Sequence, residues 1–230
     1  MLTSCPKCSH NHSVKDGIVK NRQRYKCKNC NYRFTVQQKN VKMATDEIKR
    51  MALHMYLEGL GFRSIGRLLN FSHVAVYKWI RSYGENLKEL VQSDSNNDIR
   101  VVEIDEMHSY VGSKNYCWIW IAVDRYGKKF INFVIGDRST KTGQEVWNNI
   151  ENKDEIDMVA TDYWKPYEKI VPSDIHVQTK AETFTVDGHN SLFRHFLARM
   201  RRKSKCYTKS IKMLEYSMMM LMAKWNGTLD

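Results

Sequence analysis

The rear half of the chain shows hydrophobic runs that alternate between strand-like and helix-like spacing. Three strand-like runs follow one another at 101–111, 116–123 and 129–135, with a turn signal at 124–128 between the last two. The pattern then changes to alternating elements: a helix at 140–150, a strand at 156–161, a short helix at 163–170, a strand at 175–179 and an amphipathic helix at 187–203. This order predicts an α/β domain with a mixed sheet and flanking helices.

The front half changes to helical spacing from Thr45, which can cap a first helix. Two short helices follow around a turn at 70–71, and the apolar residues Ile65, Leu69, Val76 and Ile80 are predicted to face inward. A helix pair of this kind is a helix-turn-helix, although such pairs also serve purely structural roles. The residues predicted for its outer face, within reach of a major groove, are His73, Ala75, Tyr77, Lys78 and Arg81.

Two Cys-x-x-Cys pairs stand near the beginning of the chain, with 18 residues between them. This spacing predicts a small zinc ribbon in which structural Zn²⁺ is held by Cys5, Cys8, Cys27 and Cys30. A ribbon of this size depends on metal binding for its folding energy. Its role is either to hold DNA or to dock on a neighbour, and the basic residues Arg22, Arg24 and Lys26 between the pairs favour DNA.

Charge is distributed unevenly over the 230 residues, whose formal net charge is +12. Residues 1–100 carry a net charge of +10 and residues 101–230 one of +2. A basic front half joined to a nearly neutral rear half indicates a module that binds a polyanion, followed by a domain with a different function. The predicted division is a ribbon at 1–40, a helix-turn-helix domain at 41–92, a linker at 93–99, an α/β domain at 100–207 and a Met-rich C-terminal helix at 208–230.

The chain shows no basic region followed by an apolar leader, and no apolar run that approaches the length of a membrane span. Paired cysteines in such a chain favour metal over disulfides. We therefore expect a protein of the reducing cytoplasm, in contact with the nucleoid and without a membrane partner.

Three carboxylates lie in or beside the predicted elements. Asp105 lies in a run of β-branched residues, Asp162 follows a second strand, and Asp187 begins an amphipathic helix. A buried carboxylate costs free energy unless a positive partner, usually a metal ion, offsets it. By fold-level analogy the element order is that of a ribonuclease-H-like domain, where acids from such positions hold two divalent ions for phosphoryl transfer. Any one of these acids, taken alone, would more often be a cap or a turn former.

Several neighbours of these acids are candidate binding residues. Glu106 would point to the opposite face of its strand from Asp105, which makes it structural or supporting. Asn190 lies on the same helical face as Asp187 and can touch the acids or a phosphate. Trp164 either stacks on a base or belongs to the core. Eight basic residues and no acid lie between 194 and 212, which is a solvated face or a track for the DNA backbone. The track residues that we assign are Arg194, Arg199, Arg201, Arg202 and Lys203.

Nearly the whole chain resembles the bacterial insertion-sequence-one transposases, a branch of the DDE transposases. The resemblance rests on the ribbon and helix-turn-helix and on Asp105-Glu106 with 110–112, Asp162 with Trp164 and Tyr167, His189-Asn190 and the basic residues after them. It implies an enzyme that binds the terminal inverted repeats of an element, cuts there and joins the 3′ ends into double-stranded target DNA, with Mg²⁺ or Mn²⁺ as cofactor. It also implies a homodimer or larger assembly, because two element ends are handled together.

One position departs from that family's pattern. The family has Glu two residues before the His-Asn pair, where this chain has Asp187. Asp is one methylene shorter, and a displacement on the ångström scale can cost about 10²-fold in rate. Glu182 is a second candidate for the third acid. Two other functions therefore remain open: a DNA-binding regulator whose ribonuclease-H-like domain has lost catalysis, and a structure-specific nuclease.

Overall fold

A computed structural model describes residues 4–20, 22–35, 43–90, 99–112, 115–201 and 207–229. The chain divides into two compact units, Met1–Ala44 and Thr45–Asp230. Among the described residues no helix has both the length and the apolar composition needed to cross a bilayer.

The first unit is a small antiparallel sheet with very little apolar burial. Its strands are β1 (Ser13–Val19), β2 (Arg22–Cys27) and β3 (Arg33–Thr35), in the spatial order β1-β2-β3. The rings of Tyr25 and Phe34 stack with their centroids 6.1 Å apart, and the side chains buried most completely are those of Cys5 and Cys27. A sheet with so small an apolar core needs another source of stability.

The second unit begins with three helices: α1 (Asp46–Leu57), α2 (Phe62–Leu69) and α3 (His73–Leu90). Thr45 accepts a hydrogen bond from the Ile48 amide, as predicted, and Ser72 caps α3 in the same way by accepting one from the Ala75 amide. The inward-facing positions are also as predicted: Ile65, Val76 and Ile80 are fully buried and Leu69 is half-buried.

A five-stranded mixed sheet follows, with the strands β4 (Val101–Val111), β5 (Asn115–Asp124), β6 (Lys129–Gly136), β7 (Met158–Thr161) and β8 (His176–Gln178). The spatial order is β6-β5-β4-β7-β8; the first three strands are antiparallel, and β7 and β8 run parallel to β4. Three further helices accompany it: α4 (Thr140–Asn148), α5 (Phe184–Phe196) and α6 (Ile211–Asn226). This mixed sheet with its helices fits a ribonuclease-H-like fold.

The two faces of the sheet are covered by different elements. One face packs on α4 and on the 3₁₀ helix Lys165–Lys169, around Trp120 and Tyr167. The other face packs on α5 and α6, and its hydrophobic core continues into α1, α2 and α3. The methionines of α6 contribute to this core, with Met213, Met218, Met220 and Met222 all buried.

The helix-turn-helix therefore packs with the sheet in one unit, across the predicted linker at 93–99, of which residues 93–98 lie outside the described residues. The hydroxyls of Tyr56 on α1 and Ser217 on α6 lie 2.7 Å apart in a buried hydrogen bond. Gly84 of α3 faces Tyr216 of α6 so closely that a Cβ would lie 2.4 Å from the tyrosine Cβ. Glycine is thus the residue that allows α3 and α6 to pack at this distance.

Candidate active site and metal centre

The four cysteines of the first unit converge on one point. Their sulfurs all lie within 4.8 Å of one another, with Cys5 and Cys30 at 3.6 Å and Cys8 and Cys27 at 3.7 Å. A zinc ion with Zn–S bonds of about 2.3 Å separates the sulfurs of a tetrahedron by about 3.8 Å. The cluster could therefore hold a tetrahedral metal ion.

Both cysteine pairs adopt the same backbone turn. The Cys5 amide donates to the His10 carbonyl at 2.9 Å, and the Cys27 amide donates to the Tyr32 carbonyl, also at 2.9 Å. The residue after each second cysteine, Ser9 or Asn31, has a φ of 57°. These equivalent turns explain how two separate segments present their thiols towards a common centre.

Asp105 and Asp162 belong to neighbouring parallel strands. Glu103 of β4 pairs with Ala160 of β7; Asp105 follows two residues later within β4, and Asp162 follows two residues later, just after β7 ends. Asp105 faces the side of the sheet on which α5 packs, and Asp162 lies near enough to raise the pKa of Asp105. The loop after β7 holds Asp162 in place, since the Trp164 amide donates to its Oδ1 at 2.9 Å.

Asn190 of α5 binds the Asp105 carboxylate directly. Its Nδ2 donates to Asp105 Oδ2 at 2.6 Å, and the asparagine side chain is 2% exposed. Burial and the neighbouring negative charges of Glu106, Asp187 and Asp162 raise the pKa of Asp105 to about 7. The ionised form of Asp105 is therefore poorly stabilised by the protein alone.

Asp187 lies in the first turn of α5, and its side chain is exposed. It is near enough to Asp105 to affect the pKa of that carboxyl, so the three predicted acids share one end of the sheet. Their ligand oxygens do not, however, lie within 4.8 Å of one another; within the described residues the four cysteines are the one group that meets this spacing.

The donor set at this end of the sheet suits a hard divalent cation. Three carboxylates supply the oxygen ligands that Mg²⁺ and Mn²⁺ prefer. The Asn190 Oδ1 is also buried without a hydrogen-bond partner among the described residues, which leaves an amide oxygen available beside Asp105. Positive charge would offset the cost that burial places on the ionised Asp105.

Glu106 points to the opposite face from Asp105, as predicted. Its Oε2 accepts a hydrogen bond from the Tyr167 hydroxyl at 2.5 Å, and its Oε1 accepts from Arg138 at 2.5 and 2.8 Å. Burial raises the pKa of Glu106, while these two partners favour its ionised form. Glu106 thus ties β4 to the 3₁₀ helix at Lys165–Lys169 and to the segment after β6.

Sequence reasoning missed a second buried acid of β4. Glu103 is fully buried; its Oε1 accepts from Arg125 Nε at 2.7 Å and its Oε2 from the Val186 amide at 2.8 Å. Arg125 also binds Glu182, with Nη1 and Oε2 2.5 Å apart. Glu182, the second candidate for the third acid, is therefore held by Arg125 in an ion pair. The signal available in the sequence was an acid in the interior of an apolar strand.

The side chains of His189 and Trp164 both contact other parts of the protein. Each ring nitrogen of His189 lies at hydrogen-bond distance from a backbone carbonyl, that of Thr185 at 2.7 Å and that of Lys128 at 3.1 Å. The ring of Trp164 packs against Trp120 and Tyr167, with centroids 5.4 and 5.6 Å away. Trp164 is half-buried in this aromatic cluster, and its assignment to DNA stays a prediction.

The outer face of the helix-turn-helix is largely as predicted. His73, Lys78 and Arg81 are exposed, and Arg81 Nε lies 2.9 Å from Glu85 Oε1 in an exposed ion pair. Ala75 is half-buried. Tyr77 is also half-buried and packs edge-on against Phe62 of α2 with ring centroids 5.6 Å apart, and its assignment to DNA stays a prediction.

The basic residues predicted to bind DNA in the ribbon, on α5 and in the segment after it differ in their exposure and contacts. Arg199 lies over the Phe62 ring at 4.8 Å, and Arg201 donates to the His195 carbonyl at 3.5 Å. Arg194 is half-buried on α5, whereas Arg202 and Lys203 lie outside the described residues. In the ribbon, Arg22 is exposed, Lys26 is half-buried, and Arg24 pairs with Asp16 at 3.1 Å.

Solved structures that the chain is similar to include two of the Mos1 transposase. The mariner Mos1 paired end complex with Mg gives a TM-score of 0.33 at 9% identity, over 86% of this chain and 76% of that chain. A pre-cleavage Mos1 transpososome gives 0.30 at 10% identity, over 81% and 78%. Scores this low support no conclusion about fold or function.

Proteins found by sequence comparison share a higher identity with this chain than these structures do. The chain is 33% identical over 111 residues to the insertion element IS1 2 protein InsB of Escherichia coli strain K12, a match that spans 48% of this chain and 66% of that protein. It is 32% identical over 112 residues to the insertion element IS1 protein InsB of Shigella flexneri, spanning 85% of that protein. A family model described as IS1 transposase matches residues 99–225, more than half of the chain. The chain belongs to the IS1 transposase family.

Proposed function

We propose that this protein is a DNA transposase that binds the ends of an insertion element, cuts there with the help of divalent metal, and transfers the 3′ ends into target DNA. The observation that carries the proposal is the grouping of Asp105, Asp162 and Asp187 at one end of a ribonuclease-H-like sheet, in a chain of the IS1 transposase family. We assign the DDE-type two-metal class of polynucleotidyl transfer to this site.

The chain's own residues prepare the site in specific ways. Asn190 holds the Asp105 carboxylate through one oxygen, and the Trp164 amide holds Asp162 in the same manner. Asp105, Asp162 and Asp187 would hold Mg²⁺ or Mn²⁺, which when bound activates a water or 3′-hydroxyl and stabilises the leaving oxygen at a phosphate. Carboxylates fixed before the substrate arrives lower the reorganisation that the reaction requires.

The front of the chain would hold the DNA. We assign end recognition to the zinc ribbon, with Zn²⁺ on its four cysteines, and to the exposed residues His73, Lys78 and Arg81 of the helix-turn-helix. The basic residues after α5 would contact the DNA backbone. The partners are thus the terminal inverted repeats, the target duplex and at least one further copy of the chain, at the bacterial nucleoid.

A nicking assay on a labelled element end tests this function. The wild-type protein is expected to cut the end with Mg²⁺ or Mn²⁺ and not with a chelator that spares the zinc, and Asp105→Asn is expected to bind the same DNA without cutting it. Joining of the cut 3′ end to a second duplex separates a transposase from a nuclease. DNA binding without any metal-dependent cutting would favour the alternative function, a DNA-binding regulator that has lost catalysis. The observation behind this alternative is Asp187, which is exposed and one methylene shorter than the Glu of the family's pattern.

A further inference from the structure

The first turn of α5 is connected to β4 by a buried network of charges. Glu103 has no exposed surface, and the Arg125 side chain with which it pairs is only 10% exposed. A buried carboxylate–guanidinium pair of this kind is often no more stable than apolar residues of the same volume. Its presence beside a candidate active site therefore calls for an explanation other than stability.

Glu103 supplies the cap that the helix lacks locally. Thr183 is the N-cap residue of α5, but its side chain accepts no capping hydrogen bond; the Thr183 hydroxyl donates instead to the Lys180 carbonyl at 3.4 Å. The Glu103 Oε2 accepts from the amide of Val186, the third residue of the helix. A carboxylate at this position satisfies a free amide and interacts favourably with the helix dipole.

Arg125 extends this connection to the residues before α5. One guanidinium nitrogen pairs with the Glu182 carboxylate and another donates to the Glu182 backbone carbonyl, while Nε binds Glu103. The Arg125 amide also donates to the Val101 carbonyl of β4 at 3.0 Å. A single planar side chain thus links β4 to the side chain and the backbone of Glu182, two residues before α5 begins, a geometry that a lysine cannot reproduce.

Asp187 depends on this turn for its position. Among the residues that the structure describes, no hydrogen bond or ion pair holds its carboxylate, while its backbone amide donates to the Thr183 carbonyl at 3.2 Å. The point from which its side chain projects is therefore set by the backbone of the first turn. A short acid leaves little tolerance for movement, since an ångström of misplacement can cost about 10²-fold in rate.

We propose that Glu103 and Arg125 are positioning residues, which hold the first turn of α5 against β4 and thereby place Asp187 beside Asp105 and Asp162. This inference rests on the proposed metal-dependent function. It also gives Glu182 a role as the outer partner of Arg125, on a side chain that is 42% exposed.

The test compares the zinc-loaded wild-type protein with Arg125→Lys and Glu182→Gln. The first keeps the charge but loses the planar fork, and the second weakens the outer contact with little risk to folding. Tyr56→Phe is the matched control, because it removes a buried hydrogen bond between α1 and Ser217 of α6 and leaves the contacts of Glu103, Arg125 and Glu182 in place. Two quantities are measured: Mn²⁺ affinity without DNA, with Asp105→Asn as the reference for loss of the site, and amide hydrogen exchange at Val186.

Loss of a residue that orients a metal ligand typically costs about 10–100-fold in metal affinity. We expect Arg125→Lys to lose Mn²⁺ affinity by this factor and to exchange the Val186 amide faster, with a smaller effect in Glu182→Gln and neither change in Tyr56→Phe. Wild-type affinity and protection in Arg125→Lys would overturn the proposal. If the wild-type protein binds no Mn²⁺ but Arg125→Lys still loses protection at Val186, the anchoring of α5 stands and the metal-dependent function fails.

Discussion

Asn190 Nδ2 lies 2.6 Å from Asp105 Oδ2, which joins the middle of α5 to the central strand of the sheet. Four residues earlier on the same helix, the Val186 amide donates to Glu103, two residues before Asp105 on the same strand. The helix and the strand are thus connected at two successive levels. This double connection brings Asp187, which lies between these two helix positions, to the same end of the sheet as the other two acids.

Replacing Asp105 by Asn is expected to stabilise the protein in buffer without added Mg²⁺ or Mn²⁺. The pKa of Asp105 is raised to about 7, above the value of about 3.9 for an unfolded Asp, so the folded state holds the proton more tightly. Stability therefore falls as the pH rises from about 4 to above 7, and Asp105→Asn removes that loss. We expect about 1–3 kcal/mol of added stability at pH 8 and no gain at pH 4, measured by urea unfolding. A loss of stability at pH 8 would contradict the electrostatic account.

Replacing Asp187 by the longer Glu is expected to bring the third carboxylate closer to the divalent ion. Asp187→Glu adds one methylene at an exposed position of α5, so folding should be unaffected. We expect the rate of end cleavage to rise, by up to about 10²-fold if the wild-type carboxylate stands back from the ion. Asp187→Asn should abolish cleavage and retain DNA binding. Equal cleavage rates in the wild-type protein, Asp187→Glu and Asp187→Asn would show that residue 187 takes no part in the active site.

Zinc is expected to hold the first unit together. Cys27→Ser, at a fully buried sulfur, should abolish stoichiometric zinc and unfold residues 4–35, because metal binding supplies most of the folding energy of so small a sheet. Thr45–Asp230 should stay folded. The control is Cys117→Ala, which alters a buried thiol of β5 and should keep the zinc. Metal analysis and limited proteolysis measure both effects, and full zinc content in Cys27→Ser would refute the four-cysteine site.

Two residues of α3 are expected to behave differently towards DNA. Lys78→Ala removes an exposed cation and should lower affinity for DNA of any sequence, with the salt slope reduced by about 1. Tyr77→Ala removes a ring that packs against Phe62 and should lower the Tm instead. Fluorescence anisotropy across salt concentrations and thermal unfolding distinguish the two. An unchanged salt slope in Lys78→Ala would exclude this face from the interface.

The order of elements and the place of each acid could be predicted because they rest on local patterns. The β-branched run around Asp105 gives a buried strand, and Asp162 follows the short apolar run of β7. Caps at Thr45 and Ser72 are equally local, since each side chain binds an amide three residues ahead. Such signals lie within a few residues of the feature that they predict.

The contacts that bind distant segments could not be predicted in the same way. The local pattern predicts that α5 begins at residue 187, three residues after its observed start at Phe184, because the carboxylate that caps this helix comes from Glu103 on β4. Nothing in the local sequence around Thr183 indicates that partner. The packing of Tyr77 against Phe62 is likewise absent from the local pattern of α3, because Phe62 belongs to the preceding helix.

The central claim is that three acids from separate elements hold the same divalent ions. Anomalous diffraction at the manganese edge, on crystals of the protein with an element end and Mn²⁺, tests it most directly. We predict anomalous peaks within about 2.3 Å of carboxylate oxygens of Asp105, Asp162 and Asp187. An absence of peaks there, or peaks bound by Asp105 and Asp162 with Asp187 turned away, would contradict the account.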